Sequence, residues 1–254
     1  MKAEHTSAPI VELIDVKKRF GRVNALRGVN CKFYRGQITA LVGDNGAGKS
    51  TLTKILCGVY PPTKGRFIFD GQDRHWTNPV EAREAGIETV YQDLALVESM
   101  SIARNFFLGK EIKKGLGILD HKKMAEVALK GVRDLGIELP DANRNVQFLS
   151  GGQRKSIAIA RSLHFKPKLL ILDEPTAALS IKESNIVLRH VEEVRERGIP
   201  VIFITHNIHL IYPIADRFIL LEQGQKIGDV DKNEVTPDQL IESIVTGKEI
   251  RDAN

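Results

Sequence analysis

The amino-acid sequence predicts an α/β protein in which helices flank a mostly parallel sheet, with a helical insert and a small antiparallel sheet at one side. Continuous apolar runs, expected for strands buried on both faces of a parallel sheet, occur at 169–172, 201–204 and 218–221, and 38–42 is a further strand candidate. Patterns with helical periodicity alternate with these runs, which is typical of α/β folds. The stretch from about Asp93 to Phe148 shows helical patterns without strand-like runs, so it is interpreted as an insert.

The chain is expected to form one domain over residues 1–254, with a helical insert at about 93–150 and a C-terminal helical tail at 231–254. Shorter alternating runs, typical of half-exposed antiparallel strands, occur at 10–16, 30–33 and 65–69. A helix is predicted at 49–58, with an apolar stripe formed by Leu52, Ile55, Leu56 and Val59. In the tail, Thr236, Pro237 and Gln239 predict a capped helix start, and Gly247 predicts its end.

Composition excludes several classes of protein. The longest apolar runs are far too short to cross a bilayer, and the first twenty residues carry no stretch of signal-peptide length. We therefore expect a cytoplasmic location, in which Cys31 and Cys57 stay reduced and packed. The net charge is +5, but basic and acidic residues are interleaved, so no nucleic-acid partner is expected.

A phosphate cradle is predicted at residues 43–51, which match the pattern G-x-x-x-x-G-K-[ST] between a predicted strand and a predicted helix. Glycines let backbone N–H groups approach phosphate oxygens, and the helix N-terminus adds a partial positive charge. Lys49 can reach the β- and γ-phosphates, and the Ser50 hydroxyl can bind Mg²⁺. An ordinary glycine-rich turn is the alternative. ATP and Mg²⁺ are therefore the expected cofactors, with nucleotide contacts from Gly43, Asn45, Gly46, Ala47, Gly48, Lys49, Ser50 and Thr51.

An acidic pair follows the apolar run 169–172. Asp173 is expected to hold Mg²⁺, and Glu174 to act as general base on the attacking water. A solvated strand end is the alternative, since acidic residues are common there. The combination with the cradle favours catalysis, because phosphoryl transfer needs both a metal ion and a positioned water.

A signature segment, Leu-Ser-Gly-Gly-Gln at 149–153, precedes the acidic strand and opens a predicted helix. Ser150 and Gln153 form a capping box, so a purely structural helix start is one interpretation. Two glycines in a first helical turn cost about 1 kcal/mol each relative to alanine, and a cap does not require them. Exposed backbone at a helix N-terminus is what an anion site requires.

The order of cradle, glutamine, signature segment, acidic pair and histidine resembles the ABC ATPase family over nearly the whole chain. The resemblance implies a P-loop NTPase (RecA-like) core with an antiparallel β subdomain and an inserted helical subdomain. In that family the signature helix points at the γ-phosphate bound to the cradle of a second subunit. Two composite nucleotide sites per dimer are therefore implied, with nucleotide contacts from Ser150, Gly151, Gly152 and Gln153.

The same resemblance assigns three further residues. Gln92 matches the glutamine that joins the core to the insert and senses Mg²⁺ and the attacking water, and His206 matches the histidine that contacts the γ-phosphate. Phe20 matches the aromatic that stacks on adenine. Taken alone, each is better explained as a polar loop residue, an ordinary histidine or a core aromatic.

The loop after the acidic pair departs from the family pattern. Many members have Asp where this chain has Ser180, and that Asp helps the two sites of a dimer to communicate. Ser180 and Glu183 form a further capping box, so the start of the next helix is expected to survive the change.

Four segments, at 86–96, 101–111, 174–180 and 244–249, are similar to the sugar-importer branch. With one cradle and one signature segment, the chain resembles the single-domain monosaccharide type. The expectation is an ATPase that pairs with a copy of itself or a second ATPase subunit and is peripheral on the inner membrane face. It would drive a permease docked near 93–110 and depend indirectly on a solute-binding protein. The alternatives are an exporter ATPase, a soluble ABC ATPase acting on nucleic acid or ribosomes, and a non-hydrolysing nucleotide-binding regulator.

Overall fold

The structure is a computed structural model that describes residues 8–92, 94–139, 141–177 and 179–250. Three parts of the sequence predictions lie outside the described residues: the start of the insert at Asp93, Ala178 in the loop after the acidic pair, and the end of the tail at 251–254. The chain forms two compact units. The first comprises Met1–Thr89, Pro167–Glu174 and Val191–Asn254, and the second comprises Val90–Lys166 and Pro175–His190.

Strands in the described part of the chain are β1 Val11–Phe20, β2 Val23–Phe33, β3 Ile38–Val42, β4 Lys64–Phe69, β5 Gln72–Asp73, β6 Ile87–Val90, β7 Leu169–Asp173, β8 Val201–Ile204, β9 Arg217–Glu222 and β10 Gln225–Asp231. They form a six-stranded sheet of order β10-β9-β3-β8-β7-β6 and a four-stranded sheet of order β2-β1-β4-β5. Strands β7, β8, β3 and β9 pair in parallel, whereas β10 is antiparallel to β9.

The predicted fold class is confirmed. Every residue of β3 and β8 is buried, as the continuous apolar sequence of β8 predicts. The second sheet is antiparallel, as the alternating N-terminal runs predict. Strands β1 and β2 extend well beyond the predicted runs, because the first residues of β2, Val23 to Arg27, do not alternate between apolar and polar side chains.

Helices in the described part of the chain are α1 Lys49–Leu56, α2 Pro79–Glu84, α3 Ile102–Phe106, α4 His121–Arg133, α5 Gly151–His164, α6 Ile181–Glu196, α7 Ile208–Ile211 and α8 Pro237–Thr246. Short 3-10 turns lie at Gly115–Gly117, Val146–Phe148 and Lys232–Glu234. No helix among the described residues has the length and apolar character needed to span a membrane.

The end of α1 corrects one expectation. The helix stops at Leu56 rather than Gly58, because Gly58 adopts a left-handed conformation with φ of 73°. The Val59 N–H then donates to the Lys54 carbonyl at 2.8 Å, which closes the helix end. Val59 therefore lies beyond the helix and is 38% exposed, so it does not belong to the apolar stripe.

The predicted helix caps are present. Ser150 with Gln153 and Thr236 with Gln239 each form both hydrogen bonds of a capping box. Gly247 ends α8 in a left-handed conformation. Both cysteines are buried as reduced thiols, and burial raises the pKa of the Cys31 thiol to about 12, which keeps it protonated and unreactive.

Candidate nucleotide site

The cradle lies in the first unit, where β3 runs through a tight loop into α1. Lys49 is only 8% exposed, and its ammonium donates hydrogen bonds to the carbonyl oxygens of Gly43 at 2.7 Å and Asp44 at 2.9 Å. The lysine therefore folds back along its own loop, with its charge held at the centre of the cradle. Two carbonyl dipoles stabilise this charge.

A cavity of about 390 Å³ opens beside the cradle. It is lined by two groups of residues from the first unit: the loop and first turn of α1, and the start of β2 with the turn before β10. The lining residues are Asn45, Gly46, Ala47, Gly48, Lys49, Ser50 and Thr51, with Val23, Asn24, Ala25, Arg27 and Gln223. Most of the predicted nucleotide contacts are thus brought together around one space. Gly43 and Phe20 do not appear among its described lining residues.

The cradle glycines do not all serve the same purpose. A Cβ atom at Gly43 would overlap the Leu221 carbonyl oxygen, and one at Gly48 would lie 2.9 Å from the Ala25 carbonyl oxygen. A Cβ at Gly46 would meet no heavy atom within 4 Å. The prediction that these glycines admit phosphate is therefore incomplete, because Gly43 and Gly48 are also required for packing against the main chain.

The acidic pair, Asp173 and Glu174, lies at the end of β7, where a backbone turn sets its position. Glu174 has a φ of 48°, so the chain turns sharply after Asp173. Burial lowers the pKa of Lys49, while the charges of Glu174, Asp173 and Asp44 partly oppose that shift. Burial also raises the pKa of Asp173, helped by the Glu174 charge and opposed by Lys49 and Lys54. The cradle lysine and both carboxylates therefore share one electrostatic environment.

Glu174 makes its strongest contacts with the residues that follow β8. One carboxylate oxygen accepts the His206 main-chain N–H at 3.2 Å and lies 2.7 Å from the ring Nδ1. The other oxygen accepts the Thr205 hydroxyl at 3.3 Å. The Glu174 side chain is 14% exposed and the His206 side chain 67% exposed. Thr205 was not identified from the sequence, because a threonine after a buried strand carries no motif of its own.

The donor set fits Mg²⁺. Ser50 presents a hydroxyl in the first turn of α1 at the cavity, and Asp173 supplies a carboxylate nearby. Mg²⁺ prefers such oxygen ligands and usually binds through one or two carboxylates plus substrate phosphates. Within the described ranges no group of three or more His, Cys, Asp or Glu could hold a metal ion alone.

Phe20 ends β1 and is 41% exposed. Its ring packs edge-on against Tyr60, with centroids 5.2 Å apart, and the Lys18 ammonium lies 5.1 Å from its centroid. These contacts restrain the ring at the end of the strand. Its stacking on adenine stays a prediction.

The signature segment lies in the second unit, where Ser150 caps α5. The Ser150 Oγ accepts the Gln153 N–H at 3.2 Å, and the Ser150 N–H donates to the Gln153 side-chain oxygen at 3.0 Å. A Cβ at Gly151 would meet nothing within 4 Å, whereas a Cβ at Gly152 would overlap the Glu183 carboxylate. Gly151 thus leaves open backbone at the helix N-terminus, and Gly152 is required for packing.

Two more residues of the second unit bear on the predicted site. Lys155, 6% exposed, donates from its ammonium to the Ala177 carbonyl at 2.7 Å, which fastens α5 to the loop after the acidic pair. Lys155 belongs to no motif, so this contact was not predictable from the sequence. Gln92 lies shortly after the end of β6 and is exposed. Its role stays a prediction.

Comparisons with known proteins extend these observations. Residues 26–177 match the family described as ABC transporter. The chain is 43% identical over 233 residues to a xylose/arabinose import ATP-binding protein of Sulfolobus acidocaldarius, covering 92% of each. It is 40% identical over 249 residues to a fructose import ATP-binding protein of Rhizobium meliloti, covering 95% of each. A ribose import ATP-binding protein of Escherichia coli O157:H7 is 37% identical, and the chain spans 47% of its length.

Solved structures agree with the fold. An ATP-binding cassette of an ABC transporter in its ADP conformation superimposes with a TM-score of 0.80 at 26% identity, covering 96% of this chain and 98% of the other. A dimeric cassette in a post-hydrolysis state, bound to ADP and phosphate, superimposes with a TM-score of 0.77 at 26% identity. That match covers 87% of this chain and 98% of the other.

Proposed function

Because the chain belongs to the ABC transporter family, we propose that it is the ATP-binding and hydrolysing subunit of an importer that carries a monosaccharide through a membrane permease. The family resemblance seen in the sequence is thereby confirmed. One observation carries the proposal. Lys49 lines the cavity and shares one electrostatic environment with Asp173 and Glu174, and the His206 ring lies against the Glu174 carboxylate.

The proposed mechanism follows from these contacts. When ATP enters the cavity, Lys49 exchanges the carbonyl oxygens of Gly43 and Asp44 for the β- and γ-phosphates. Ser50 and Asp173 would hold Mg²⁺, which would neutralise charge on the phosphates. Glu174 takes the proton of the attacking water.

The Glu174 contacts indicate how the general base is positioned before ATP binds. In the structure its carboxylate is held by His206 and Thr205, in a position fixed by the turn after β7. When the γ-phosphate arrives, the exposed His206 ring turns to contact it and releases one Glu174 oxygen toward the water. Gln92 is assigned the complementary contact with Mg²⁺ and the attacking water.

Monosaccharide import is supported by the relatives, whose names describe import of xylose or arabinose, fructose and ribose. The chain covers 92% of the xylose/arabinose relative and 95% of the fructose relative. These relatives favour import over export and over soluble ABC functions. We assign the chain a membrane permease as partner, docked near 93–110 on the cytoplasmic side, and a solute-binding protein as indirect partner.

The proposal includes a homodimer, in which the Ser150 helix of one copy faces the γ-phosphate bound at Lys49 of the other. The open backbone at Gly151 supports this, since an unobstructed helix N-terminus suits an anion. The dimeric state of a similar cassette with ADP and phosphate also supports it.

The test reconstitutes the chain with its permease in lipid nanodiscs. ATP hydrolysis is measured with the solute-binding protein and, in turn, xylose, arabinose, fructose and ribose. A single sugar that stimulates hydrolysis supports the proposal, and stimulation by none of them contradicts monosaccharide import.

A binding measurement tests the cradle separately. Lys49→Ala should lose tight ATP binding, weakening it by about tenfold to a hundredfold or more, the range of a lost charge-assisted hydrogen bond. Lys64→Ala, an exposed lysine of β4, is the matched control and should bind normally. Unchanged affinity in the Lys49 variant would refute the assigned role of the cradle.

A further inference from the structure

We propose that the β9–β10 turn, Gln223 and Gly224, is a working part of the phosphate cradle and holds its loop in the conformation that binds phosphate. The inference deepens the proposed function and rests on it. The turn lies far along the chain from the cradle motif, and no part of that motif includes it. Gly224 acts on the phosphates through Ala47, so it is a positioning residue.

The contact is made by both polar groups of the Gly224 backbone. The Gly224 N–H donates to the Ala47 carbonyl at 2.9 Å, and the Gly224 carbonyl accepts the Arg27 N–H at 2.8 Å. Ala47 lies in the middle of the cradle, and Arg27 lies on β2. The turn is therefore a bridge that ties the cradle loop to the neighbouring sheet.

This bridge fixes the direction of a cradle N–H group. A trans peptide unit is planar, so its C=O and the following N–H point to opposite sides. Because the Ala47 carbonyl points at the turn, the N–H of Gly48 must point away from it. A cradle binds phosphate through N–H groups turned inward together, so losing the bridge would free the Ala47–Gly48 peptide to rotate.

Close packing allows no substitute at Gly224. A Cβ atom there would lie 2.6 Å from the Ala25 carbonyl oxygen and 3.1 Å from the Ala25 carbonyl carbon. Gly48 packs against the same Ala25 oxygen, and its own Cβ would come within 3.5 Å of the Gly224 Cα. The cradle, the turn and β2 therefore meet main chain to main chain. Gln223 beside them lines the cavity, so the turn also forms one of its walls.

The chain contains a matched control for this turn. In the β4–β5 turn, Asp70 has φ of 52° and Gly71 has φ of 74°, close to the values of 44° and 80° at Gln223 and Gly224. A Cβ at Gly71 would meet no heavy atom within 4 Å. Alanine at Gly71 thus imposes the same left-handed backbone strain as alanine at Gly224, without any clash near the cradle.

The experiment compares Gly224→Ala with Gly71→Ala in the full chain. Affinity for fluorescent mant-ADP is measured with Mg²⁺, and thermal unfolding is measured without nucleotide. Both variants should unfold at lower temperature, but only Gly224→Ala should weaken mant-ADP binding, by about tenfold to a hundredfold. If Gly224→Ala and Gly71→Ala bind mant-ADP with equal affinity, the inference is overturned. The proposed function is unaffected by that result as long as the wild-type chain binds mant-ADP. Failure of the wild-type chain to bind mant-ADP overturns both.

A second measurement needs no substitution and covers the case in which Gly224→Ala does not fold. Hydrogen exchange of the wild-type chain is followed with and without ADP and Mg²⁺. A peptide containing residues 222–226 should gain protection when nucleotide binds, whereas one containing 70–73 should not. Unchanged exchange at 222–226 under saturating ADP overturns the inference.

Discussion

Replacing Thr205 with valine tests the positioning of the general base with little change in side-chain volume. The Thr205 hydroxyl donates to Glu174 at 3.3 Å and accepts the Asn207 N–H at 3.1 Å, and the residue is 1% exposed. Valine keeps the buried shape but removes the hydroxyl. The carboxylate of Glu174 then loses the hydrogen bond from the Thr205 hydroxyl.

The expected loss can be worked from these distances. Hydrogen bonds to charged groups contribute roughly 1.5–3 kcal/mol when well formed. The 3.3 Å separation is longer than the usual O–H···O distance of about 2.7–2.8 Å, so about 1 kcal/mol is a reasonable value. If this contact orients Glu174 in the transition state, kcat should fall about fivefold.

Serine at position 205 is the matched control. Thr205→Ser keeps the hydroxyl but deletes a buried methyl group, so it should cost about 1 kcal/mol of unfolding free energy and leave kcat nearly unchanged. Turnover is measured at saturating Mg-ATP and unfolding by urea titration. If both variants have the same kcat, the hydroxyl does not position Glu174, and the reasoning fails.

Three further changes have expected outcomes. Gly152→Ala should lower the unfolding temperature and weaken ATP-dependent dimerisation, because its Cβ would overlap Glu183; this is checked by thermal unfolding and light scattering. Asp173→Asn should abolish hydrolysis yet stabilise the nucleotide-free chain at pH 7, because folding raises the pKa of Asp173 above 3.8 and its ionised form opposes folding. Asp229→Ala should cost about 3–5 kcal/mol in urea unfolding, since it removes the carboxylate that pairs with the largely buried Arg217 guanidinium.

Each of these outcomes has a control. Gly151→Ala adds a Cβ into open space, so equal destabilisation by both glycine variants contradicts the packing role of Gly152. The stabilisation by Asp173→Asn must shrink as pH falls through the raised folded pKa toward 3.8, where the wild-type carboxyl becomes protonated; a constant difference contradicts it. If Asp229→Ala lowers the unfolding free energy by less than about 1 kcal/mol, water replaces Asp229 as the partner of Arg217 and the expected cost is contradicted.

Much of the fold was predictable because the relevant patterns are local. The continuous apolar run at 201–204 predicted β8 with its observed bounds, and the capping residues predicted the starts of α5 and α8. By contrast, β5 consists of two exposed polar residues, Gln72 and Asp73, and pairs only because β4 lies beside it. A segment held by tertiary pairing alone has no periodicity to detect.

The candidate site likewise contains residues that were predictable from the sequence and residues that were not. The motif residues from Asn45 to Thr51 were predictable, because a phosphate loop has a fixed spacing within one segment. Thr205 and Gly224 were not, since each acts through a contact with a residue distant in sequence. The packing reason for Gly152 was hidden too, because it depends on where the Glu183 side chain lies.

The most direct test of the account is the mass of a Glu174→Gln variant loaded with ATP and Mg²⁺, measured by sedimentation equilibrium. This variant should turn over about 10²- to 10⁴-fold more slowly while its cradle still binds ATP. With ATP retained, it should sediment as a dimer of twice 28.3 kDa, and it should return to a monomer with ADP. A species of 28.3 kDa at saturating ATP, or near-normal turnover, would contradict the composite site and the role of Glu174.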